Sequence, residues 1–493
     1  MQDTISFVLD GKIQRLDFKG AYTPTTTVLN YLRAGLSHKG VKEGCAEGDC
    51  GACTVVIADL DGANKLRYQA WDSCLIFLPM IHGKQLITVE NLKHKMNGIE
   101  ALHPVQENMV NCNGSQCGYC TPGIVMSLFA LYKTEARPTH ASIEDALTGN
   151  LCRCTGYKPI IEAAAKACVH DGRDQFTDQE QDIIHLLLEI RADEKPVSVH
   201  TGAQSYFQPL TRTQALESRN KKQEAILISG ASDIALRVTK RHEILSEIID
   251  LSHVEEFKQF STENNRMTFG AGMSLEDVRK HAKNLLPALY DALSVFGSRQ
   301  IRSVATLGGN LGSASPIGDT LPVLMAYDAS ITLESVQGER TVNINNFILG
   351  YRKTDRKPHE LITRVSIPKP RKQTLLKFYK VSKRKDLDIS TVSAGFSLAL
   401  DEDKVKSITL AYGGMAALTK RASAAEAFLT GKKWERRVVE QAMELIIQDF
   451  TPISDARSGA VFRSLAAKNL LLKFWSETAA AVSSPFSDSD GTG

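Results

Sequence analysis

The sequence has no long hydrophobic run and no strong charge imbalance. Its longest apolar stretches, such as Cys74–Met80, are far too short to cross a bilayer. The start, Met1–Asp10, lacks the basic residues and apolar core of a signal peptide. A net charge of +3 on 493 residues argues against the basic face of a nucleic-acid-binding domain. These absences predict a cytoplasmic protein that binds neither membranes nor nucleic acid.

Cysteine is absent from the last two thirds of the chain. All ten cysteines lie between Cys45 and Cys168. A chain of this length has a large core and does not need disulfides for stability. Cysteines clustered in one part of a cytosolic protein favour metal ligation. The N-terminal third is therefore predicted to hold the metal chemistry.

The remaining patterns predict an α+β protein of several domains. Predicted strands are Ile5–Leu9, Ile13–Phe18, Thr54–Ala58, Ala225–Ser229, Met267–Ala271, Ile331–Ser335, Phe396–Leu400 and Ser407–Tyr412. Predicted helices are Thr27–Leu36, Ile124–Tyr132, Ile160–Val169 and Arg437–Gln448, together with one that Ser142 caps. The charged stretch 170–200 is typical of a linker with some helix, and the Ser/Asp/Gly-rich C-terminus is predicted to be disordered.

The first cysteine group has C-x4-C-x2-C spacing. It comprises Cys45, Cys50 and Cys53, with Cys74 some twenty residues further on. This is the plant-type ferredoxin spacing for a [2Fe–2S] cluster. Nearby glycines allow backbone N–H groups to approach the sulfurs: Gly44, Gly48 and Gly51. A zinc site usually pairs two C-x2-C knuckles, which this group lacks, so the spacing favours the cluster.

The second cysteine group is less decisive. Cys117 and Cys120 form C-x2-C, whereas Cys152 and Cys154 form C-x-C. Two residues apart on a helix lie about 200° apart around its axis, so the second pair cannot face one metal from mid-helix. The flanking glycines predict a turn between helices instead. From spacing alone, both a [2Fe–2S] cluster and a tetrahedral Cys₄ zinc site stay open.

Two long segments around these cysteines resemble a known family. Gly114–Val125 (GSQCGYCTPGIV) and Gly149–Pro159 (GNLCRCTGYKP) are similar to the iron–sulfur segment of the xanthine dehydrogenase family of molybdenum hydroxylases. The resemblance implies two [2Fe–2S] clusters, one in a β-grasp ferredoxin-like domain and one, nearer the molybdenum cofactor, in a helical-bundle domain. It implies these metal ligands: Cys45, Cys50, Cys53, Cys74, Cys117, Cys120, Cys152 and Cys154. Cys112 and Cys168 fall outside the matched positions and are predicted to be small buried hydrophobes.

Two further segments carry flavin-binding features. In Ile226–Ile234 (ILISGASDI) a strand runs into a small-residue turn that can present N–H groups to a pyrophosphate. Ala305–Pro322 (ATLGGNLGSASPIGDTLP) has few side chains to obstruct a ligand. Both resemble the FAD domain of the same family. The phosphate-binding residues implied are Leu227, Ile228, Ser229, Gly230, Ala231, Ser232, Asp233, Ile234, Thr306, Leu307, Gly308, Gly309 and Asn310, with Asp319 nearby. The resemblance also places three residues at the flavin ring: Phe296, Ile362 and Lys380.

The resemblance extends over about residues 1–475 and implies a domain order. That order is a ferredoxin-like domain 1–83, a helical [2Fe–2S] domain 84–170, a linker 171–200, an α/β FAD-binding domain 201–372, a C-terminal α+β flavoprotein domain 373–480 and a disordered tail 481–493.

These parts make an electron relay with two ends. Clusters pass single electrons, and a flavin combines two of them into a hydride. The chain has no motif for substrate oxidation, so a partner must carry it. The resemblance implies an NAD⁺-reducing small subunit that works with a molybdopterin-binding large subunit in purine catabolism, oxidising hypoxanthine or xanthine. The expected assembly is a heterotetramer of two small and two large subunits. A molybdenum hydroxylase for aldehydes or other N-heterocycles, and a zinc-bound scaffold protein, are the alternatives.

Overall fold

A computed structural model of the protein describes residues 1–36, 38–96, 99–169, 173–192 and 194–479. The chain divides into two compact units. The first contains Met1–Glu256 with two later segments, Ser274–Glu276 and Gly297–Thr306, and the second contains the rest of the described chain. The predicted tail 481–493 lies outside the described residues.

The N-terminal sheet of the first unit has five strands. Its spatial order is Lys12–Asp17, Thr4–Leu9, Gln85–Ile87, Thr54–Leu60 and Leu66–Asp72. The first two strands in the chain form a hairpin, because Asp10 and Gly11 both take positive φ and reverse the chain between them. The predicted helix after Thr27 is a short α-turn followed by a π-turn, Val28–Asn30 and Tyr31–Gly35. Two 3₁₀ turns complete this region, Leu78–Ile81 and Val89–Leu92.

A group of helices follows the sheet. A small ribbon, His94–Met96 with Ile99–Ala101, precedes the helices Pro104–Asn111, Thr121–Thr134, His140–Leu147 and Lys158–Ala167. The prediction that Ser142 caps a helix is wrong. Thr139 is the cap, since its hydroxyl accepts from the Ser142 N–H, and Ser142 lies inside the first turn. The reason is that Thr139 lies one turn earlier and offers the same chemistry.

The stretch predicted as a linker is helical and attached to the preceding helices. It forms Gln175–Asp178 and Glu180–Ala192. Asp174 caps the first of these and is buried against His103 Nε2 at 3.1 Å and Lys133 Nζ at 2.8 Å. Burial alone would raise the pKa of Asp174, but hydrogen bonds from His103 and Lys133 outweigh it and hold the pKa well below its usual range.

A four-stranded sheet completes the first unit. Its order is Ile226–Ile228, Glu247–Asp250, Gln204–Gln208 and Val197–Thr201, and its helices are Arg212–Lys221, Ala235–Thr239 and Arg299–Val304. Its core is continuous with that of the N-terminal sheet. Arg302, fully buried, binds Asp145 at 2.5 Å and Glu276 at 2.9 Å. This ion triad fixes the last helix in the first unit.

The second unit contains two sheets. One has the order Phe260–Glu263, Arg266–Gly270, Leu361–Pro368, Ser330–Ser335 and Gly338–Asn343, with the ribbon Ile348–Gly350 and Lys353–Thr354 nearby in sequence. The other has the order Thr374–Val381, Val392–Asp401, Lys404–Gly413 and Lys420–Arg421. The helices are Pro287–Ser294, Leu307–Ser313, Thr320–Ala326, Ile344–Phe347, Ser423–Leu429, Arg436–Asp449 and Ala460–Thr478. Two elements, Glu255–Lys258 and Leu275–Ala282, straddle the division of the chain.

The predicted α+β multidomain class is confirmed. The finer domain boundaries stay a prediction. No helix of the described residues has both the length and the apolar character that crossing a membrane requires.

Candidate iron–sulfur and flavin sites

Strand pairing brings the distant members of the first cysteine group together. Cys53 precedes the strand Thr54–Leu60, and Cys74 follows the strand Leu66–Asp72. These two strands are antiparallel neighbours, and Thr54 pairs with Asp72. The thiols of Cys53 and Cys74 contact each other, and those of Cys45 and Cys50 form a second contacting pair. Two thiol pairs suit a cluster whose two irons each take two cysteine ligands.

Backbone N–H groups surround these sulfurs. Glu47 N and Asp49 N donate to Cys45 Sγ at 3.4 and 3.3 Å. The Ala52 N–H lies close to the Cys50 thiol, and the Gly48 N–H lies close to the Cys74 thiol. Such donors stabilise the negative charge of thiolate ligands, so this loop is suited to an anionic cluster.

Glycine is required at two points of this loop. Gly48 and Gly51 have φ of +74° and +66°, values that residues other than glycine rarely adopt. A Cβ at Gly44 would lie 2.7 Å from Cys50 Sγ. The glycines noted in the sequence therefore make room for the sulfurs and for the turn.

Asp72 is an acidic neighbour of the first group that the sequence reasoning missed. It is buried, and Cys53 Sγ lies 3.7 Å from its Oδ1. Burial, with the nearby Cys45 thiol as a smaller cause, raises the pKa of Asp72 to about 8. Only the strand pairing reveals this neighbour, because Asp72 is distant from Cys53 in sequence.

The second cysteine group lies where helices end. Cys117 and Cys120 precede the helix Thr121–Thr134, and Cys152 and Cys154 lie in the turn before Lys158–Ala167. This is the predicted turn between helices. Cys120 contacts Cys152, and Cys117 contacts Cys154, so the four thiols again form two pairs.

The second group is more open than the first. Cys117 and Cys154 are exposed, whereas Cys53 and Cys74 are buried. Thr155 Oγ1 lies 3.2 Å from Cys152 Sγ, and the Cys152 N–H donates to the hydroxyl of Tyr157 at 2.8 Å. Among the described residues, no group of three or more His, Cys, Asp or Glu side chains converges as a site for one metal ion. Cluster ligation by these pairs therefore stays a prediction.

The two cysteines outside the groups pack in the helical core. Cys168 is fully buried, and Cys112 is half-buried against the same hydrophobic cluster. Burial raises the pKa of Cys168 to about 12, which suits an inert thiol.

The first flavin segment lies in the first unit. Ala231 takes φ of +57° three residues after the strand Ile226–Ile228 ends, so the chain turns within the small-residue stretch. Gly230 packs so closely on the carbonyl of Val304 that any Cβ would clash. The hydroxyl of Ser229 is buried and has no hydrogen-bond partner among the residues that the structure describes. An unpaired buried donor beside a turn of small residues fits a pyrophosphate oxygen.

The second flavin segment falls mostly in the second unit. Thr306 belongs to the first unit, where it bridges Ser274, and Leu307 begins the helix Leu307–Ser313. The Gly308 N–H donates to the Ala271 carbonyl at 2.7 Å, which leaves no space for a side chain. Asn310 accepts from Thr320 Oγ1 at 2.5 Å, while Gly309 is exposed.

Asp319 and Lys380 form a buried ion pair in the second unit. Their side chains are 3.0 Å apart and only 6% and 5% exposed. Ser390 Oγ donates to Asp319 at 2.6 Å, and Lys380 also donates to the carbonyl of Val295 at 2.8 Å. The family resemblance implies that both charged residues lie near the flavin, and it says nothing of a contact between them.

The remaining two ring-contact candidates are half-buried. Phe296 directly follows Val295, whose carbonyl binds Lys380. Ile362 packs beside the helix Leu307–Ser313, where a Cβ at Gly312 would be 3.5 Å from its methyl group. Within the second unit, Phe296 therefore lies next to the residue that binds Lys380. Ile362 lies beside the glycine-rich helix.

Three family models match the chain. They are a [2Fe–2S] binding domain over residues 88–165, the FAD binding domain in molybdopterin dehydrogenase over 200–370, and the CO dehydrogenase flavoprotein C-terminal domain over 377–478. The chain belongs to the molybdenum hydroxylase family. It is the iron–sulfur and flavin part of such an oxidoreductase, and a [2Fe–2S] cluster and FAD are its cofactors.

Full-length relatives agree with this assignment. Xanthine dehydrogenase of Emericella nidulans is 33% identical over 99% of this chain and 40% of its own length. Xanthine dehydrogenase/oxidase of Gallus gallus is 31% identical over 92% of this chain and 38% of its own length. The chain thus spans about two fifths of these molybdenum hydroxylase relatives.

Solved structures support the fold. Carbon monoxide dehydrogenase of Hydrogenophaga pseudoflava has a TM-score of 0.53 at 23% identity, covering 56% of this chain and 96% of the matched chain. Quinoline 2-oxidoreductase of Pseudomonas putida 86 has a TM-score of 0.52 at 24% identity, covering 58% and 99%.

Proposed function

We propose that this chain is the electron-transfer subunit of a xanthine dehydrogenase, with one [2Fe–2S] cluster in each cysteine group. Bound clusters would transfer single electrons, and bound FAD would collect two of them for hydride transfer to NAD⁺. The observation that carries the proposal is a continuous series of contacts within the first unit. It runs from the exposed cysteines to the loop predicted to bind the FAD phosphates.

The outer end of the series is the second cysteine group. Its exposed members, Cys117 and Cys154, leave one side of a cluster accessible to an electron donor. The Leu151 N–H, next to Cys152, donates to the carbonyl of Cys50 at 3.0 Å. The two cysteine loops are therefore in direct backbone contact, which favours electron transfer between their clusters.

The inner end of the series is the helix Arg299–Val304. Ile301 packs on Gly48 of the first loop, where a Cβ would lie 2.9 Å from its methyl group. At the other end of the helix, the Val304 carbonyl packs on Gly230. One short helix thus separates the first cysteine loop from the loop predicted to hold the FAD phosphates.

A lysine forms a second link between the same two regions. Lys240 follows the helix Ala235–Thr239, which begins just after the phosphate-loop candidates. Its Nζ donates to the Cys45 carbonyl at 3.0 Å and lies 3.5 Å from Glu47. Both links support the order second group, first group, flavin.

The substrate and the electron acceptor that we propose are those that the names of the relatives indicate. Because relatives named xanthine dehydrogenase align over nearly all of this chain, we assign xanthine or hypoxanthine as substrate and NAD⁺ as acceptor. Water supplies the oxygen of the hydroxylated purine, and the substrate and water together release two electrons and two protons in each turnover. We place this oxidation on a molybdopterin-binding partner subunit in the cytoplasm, in a heterotetramer of two copies of each subunit.

The test is co-purification of the chain with its native partner, followed by a xanthine-dependent NAD⁺ reduction assay. We expect NADH formation that requires both subunits. Activity with aldehydes or quinoline but not purines would instead indicate another molybdenum hydroxylase. A colourless, zinc-loaded protein would contradict electron transfer altogether.

A further inference from the structure

Asn150 links the two cysteine loops through a single buried amide. It lies two residues before Cys152 and is 2% exposed. Its Nδ2 donates to the carbonyl of Gly51 at 3.1 Å and lies 3.3 Å from Thr54 Oγ1. A residue of the second loop thus binds the backbone of the first.

The orientation of this amide is fixed by two other side chains. Ser127 Oγ donates to Asn150 Oδ1 at 2.6 Å, and Gln300 Nε2 donates to the same oxygen at 2.9 Å. Gln300 Nε2 also donates to Ser127 Oγ at 2.9 Å. With two donors on Oδ1, the amide must present its NH₂ group to Gly51.

Glycines bring the backbones close enough for this arrangement. A Cβ at Gly51 would lie 2.6 Å from Asn150 Nδ2 and would also clash with the Gly149 carbonyl. A Cβ at Gly123, in the helix after Cys120, would clash with the Gly51 carbonyl. The Gly51 carbonyl also accepts from Thr54 N at 3.1 Å and Thr54 Oγ1 at 2.7 Å, and the second loop and its helix enclose its remaining side.

The Gly51 carbonyl belongs to the peptide unit that serves the first cluster site. The N–H of this peptide is that of Ala52, which lies close to the Cys50 thiol on the side from which an N–H can donate to a cluster-bound sulfur. A donor on the carbonyl polarises the peptide and strengthens its N–H as a donor. Stronger N–H···S bonds stabilise the more negative, reduced form of an iron–sulfur cluster.

We propose that Asn150, held by Ser127 and Gln300, is a positioning residue that raises the reduction potential of the first cluster through the Gly51–Ala52 peptide. This inference rests on the proposed function, because it requires a cluster in each group. The second loop would thereby help to set the driving force for electron transfer from the second cluster to the first. Neither the spacing of the cysteines nor the family models assign this role.

The test is an EPR-monitored redox titration of the full chain reduced with dithionite. In Asn150→Ala we expect the first cluster's potential to fall by the equivalent of roughly threefold to tenfold in its reduction equilibrium, the usual value of one hydrogen bond. Gln300→Leu and Ser127→Ala should shift it in the same direction by less. Asn108→Ala is the control, because that amide donates only to Pro104 of its own helix.

The readout separates positioning from simple loss of structure. A structural defect lowers iron content, whereas the proposed effect moves the potential at full iron content. If Asn150→Ala does not retain its iron, Gln300→Leu decides the question from outside both loops. An unmoved potential in the iron-replete variants overturns the inference and leaves the relay intact. A wild-type chain without two distinct [2Fe–2S] signals overturns the proposed function and the inference with it.

Discussion

The two cysteine groups use the same ligand chemistry in opposite surroundings. The first is wrapped by its own loop, with buried Cys53 and Cys74 and backbone N–H groups directed at its sulfurs. The second lies at helix ends, with Cys117 and Cys154 exposed. Under the proposed function, the two clusters would therefore differ in solvent access and in the hydrogen bonds to their sulfurs. The enclosed group lies against elements of the predicted FAD site, and the open group is accessible to a donor.

The largest effect is expected from Cys152→Ser, which removes a ligand from the open group only. We expect the loss of one of two EPR-distinct clusters and a fall of about half in bound iron. In the complex with the partner, substrate should no longer reduce the flavin, while NADH still reduces it. The measurements are iron analysis, EPR and stopped-flow absorbance.

Cys112→Ser is the matched control, since Cys112 is a half-buried cysteine of the same helical region outside both groups. It should keep both signals. Flavin reduction by substrate at the wild-type rate in Cys152→Ser would refute the relay order.

The next effect concerns the contact between the groups. Gly123→Ala introduces a methyl group that clashes with the Gly51 carbonyl, and we expect a destabilisation of about 1–3 kcal/mol. Denaturant unfolding, followed by the visible absorbance of the clusters, measures it. Gly62→Ala, at a glycine with open space around it, should change stability by less than about 0.5 kcal/mol. Equal effects of the two variants would show that the loops are not tightly packed.

Acid should destabilise the protein through two buried histidines. His82 follows the turn Leu78–Ile81 beside the N-terminal sheet, and burial lowers its pKa to about 4. His103 precedes the helix Pro104–Asn111, and burial lowers its pKa as well. A depressed folded pKa means that the unfolded chain takes up the proton first as pH falls below about 6.5. Each histidine therefore removes up to about 1.4 kcal/mol per pH unit below that value, as far as its folded pKa.

Thermal unfolding between pH 7 and pH 5 checks this expectation. His82→Gln and His103→Gln should each flatten the pH dependence, and His140→Gln, at an exposed histidine, should not. A pH dependence unchanged in both buried-site variants would show that these imidazoles are not buried neutral.

The smallest effect is expected at Lys240, whose side chain is 46% exposed. Lys240→Gln removes a positive charge beside the Cys45 carbonyl, so the potential of the first cluster should fall slightly while that of the second is unchanged. Because solvent ions screen an exposed charge, the shift should shrink as salt is raised. Lys12→Gln, at an exposed lysine of the hairpin, is the control. A shift confined to the second cluster would reverse the assignment of the two groups.

Much of this architecture follows from local sequence. Cys45, Cys50 and Cys53 identify their group by spacing, and the glycine-flanked Cys152–Cys154 turn was predicted because a mid-helix position fails geometrically. What sequence reasoning missed depends on residues far apart in the chain. The contacts of Asn150 cannot be read from the sequence, since its partners Gly51 and Gln300 are about 100 and 150 positions away.

Charged partners were equally hard to predict. The Asp319–Lys380 pair forms because tertiary packing buries both groups, and burial favours pairing over solvation. The cap at Thr139 was missed in favour of Ser142 because two capping residues lie one turn apart. The ion pair lies outside the window in which a sequence pattern is visible, whereas the two capping candidates lie within one window and have the same chemistry.

The central claim is that the two groups hold two different [2Fe–2S] clusters in one relay. An anaerobic EPR redox titration of the full chain, combined with metal analysis, tests it most directly. We expect about four iron atoms per chain and two distinguishable [2Fe–2S] signals. One of these signals should disappear in Cys152→Ser. Zinc in place of iron, or a single signal that survives this substitution, would contradict the account.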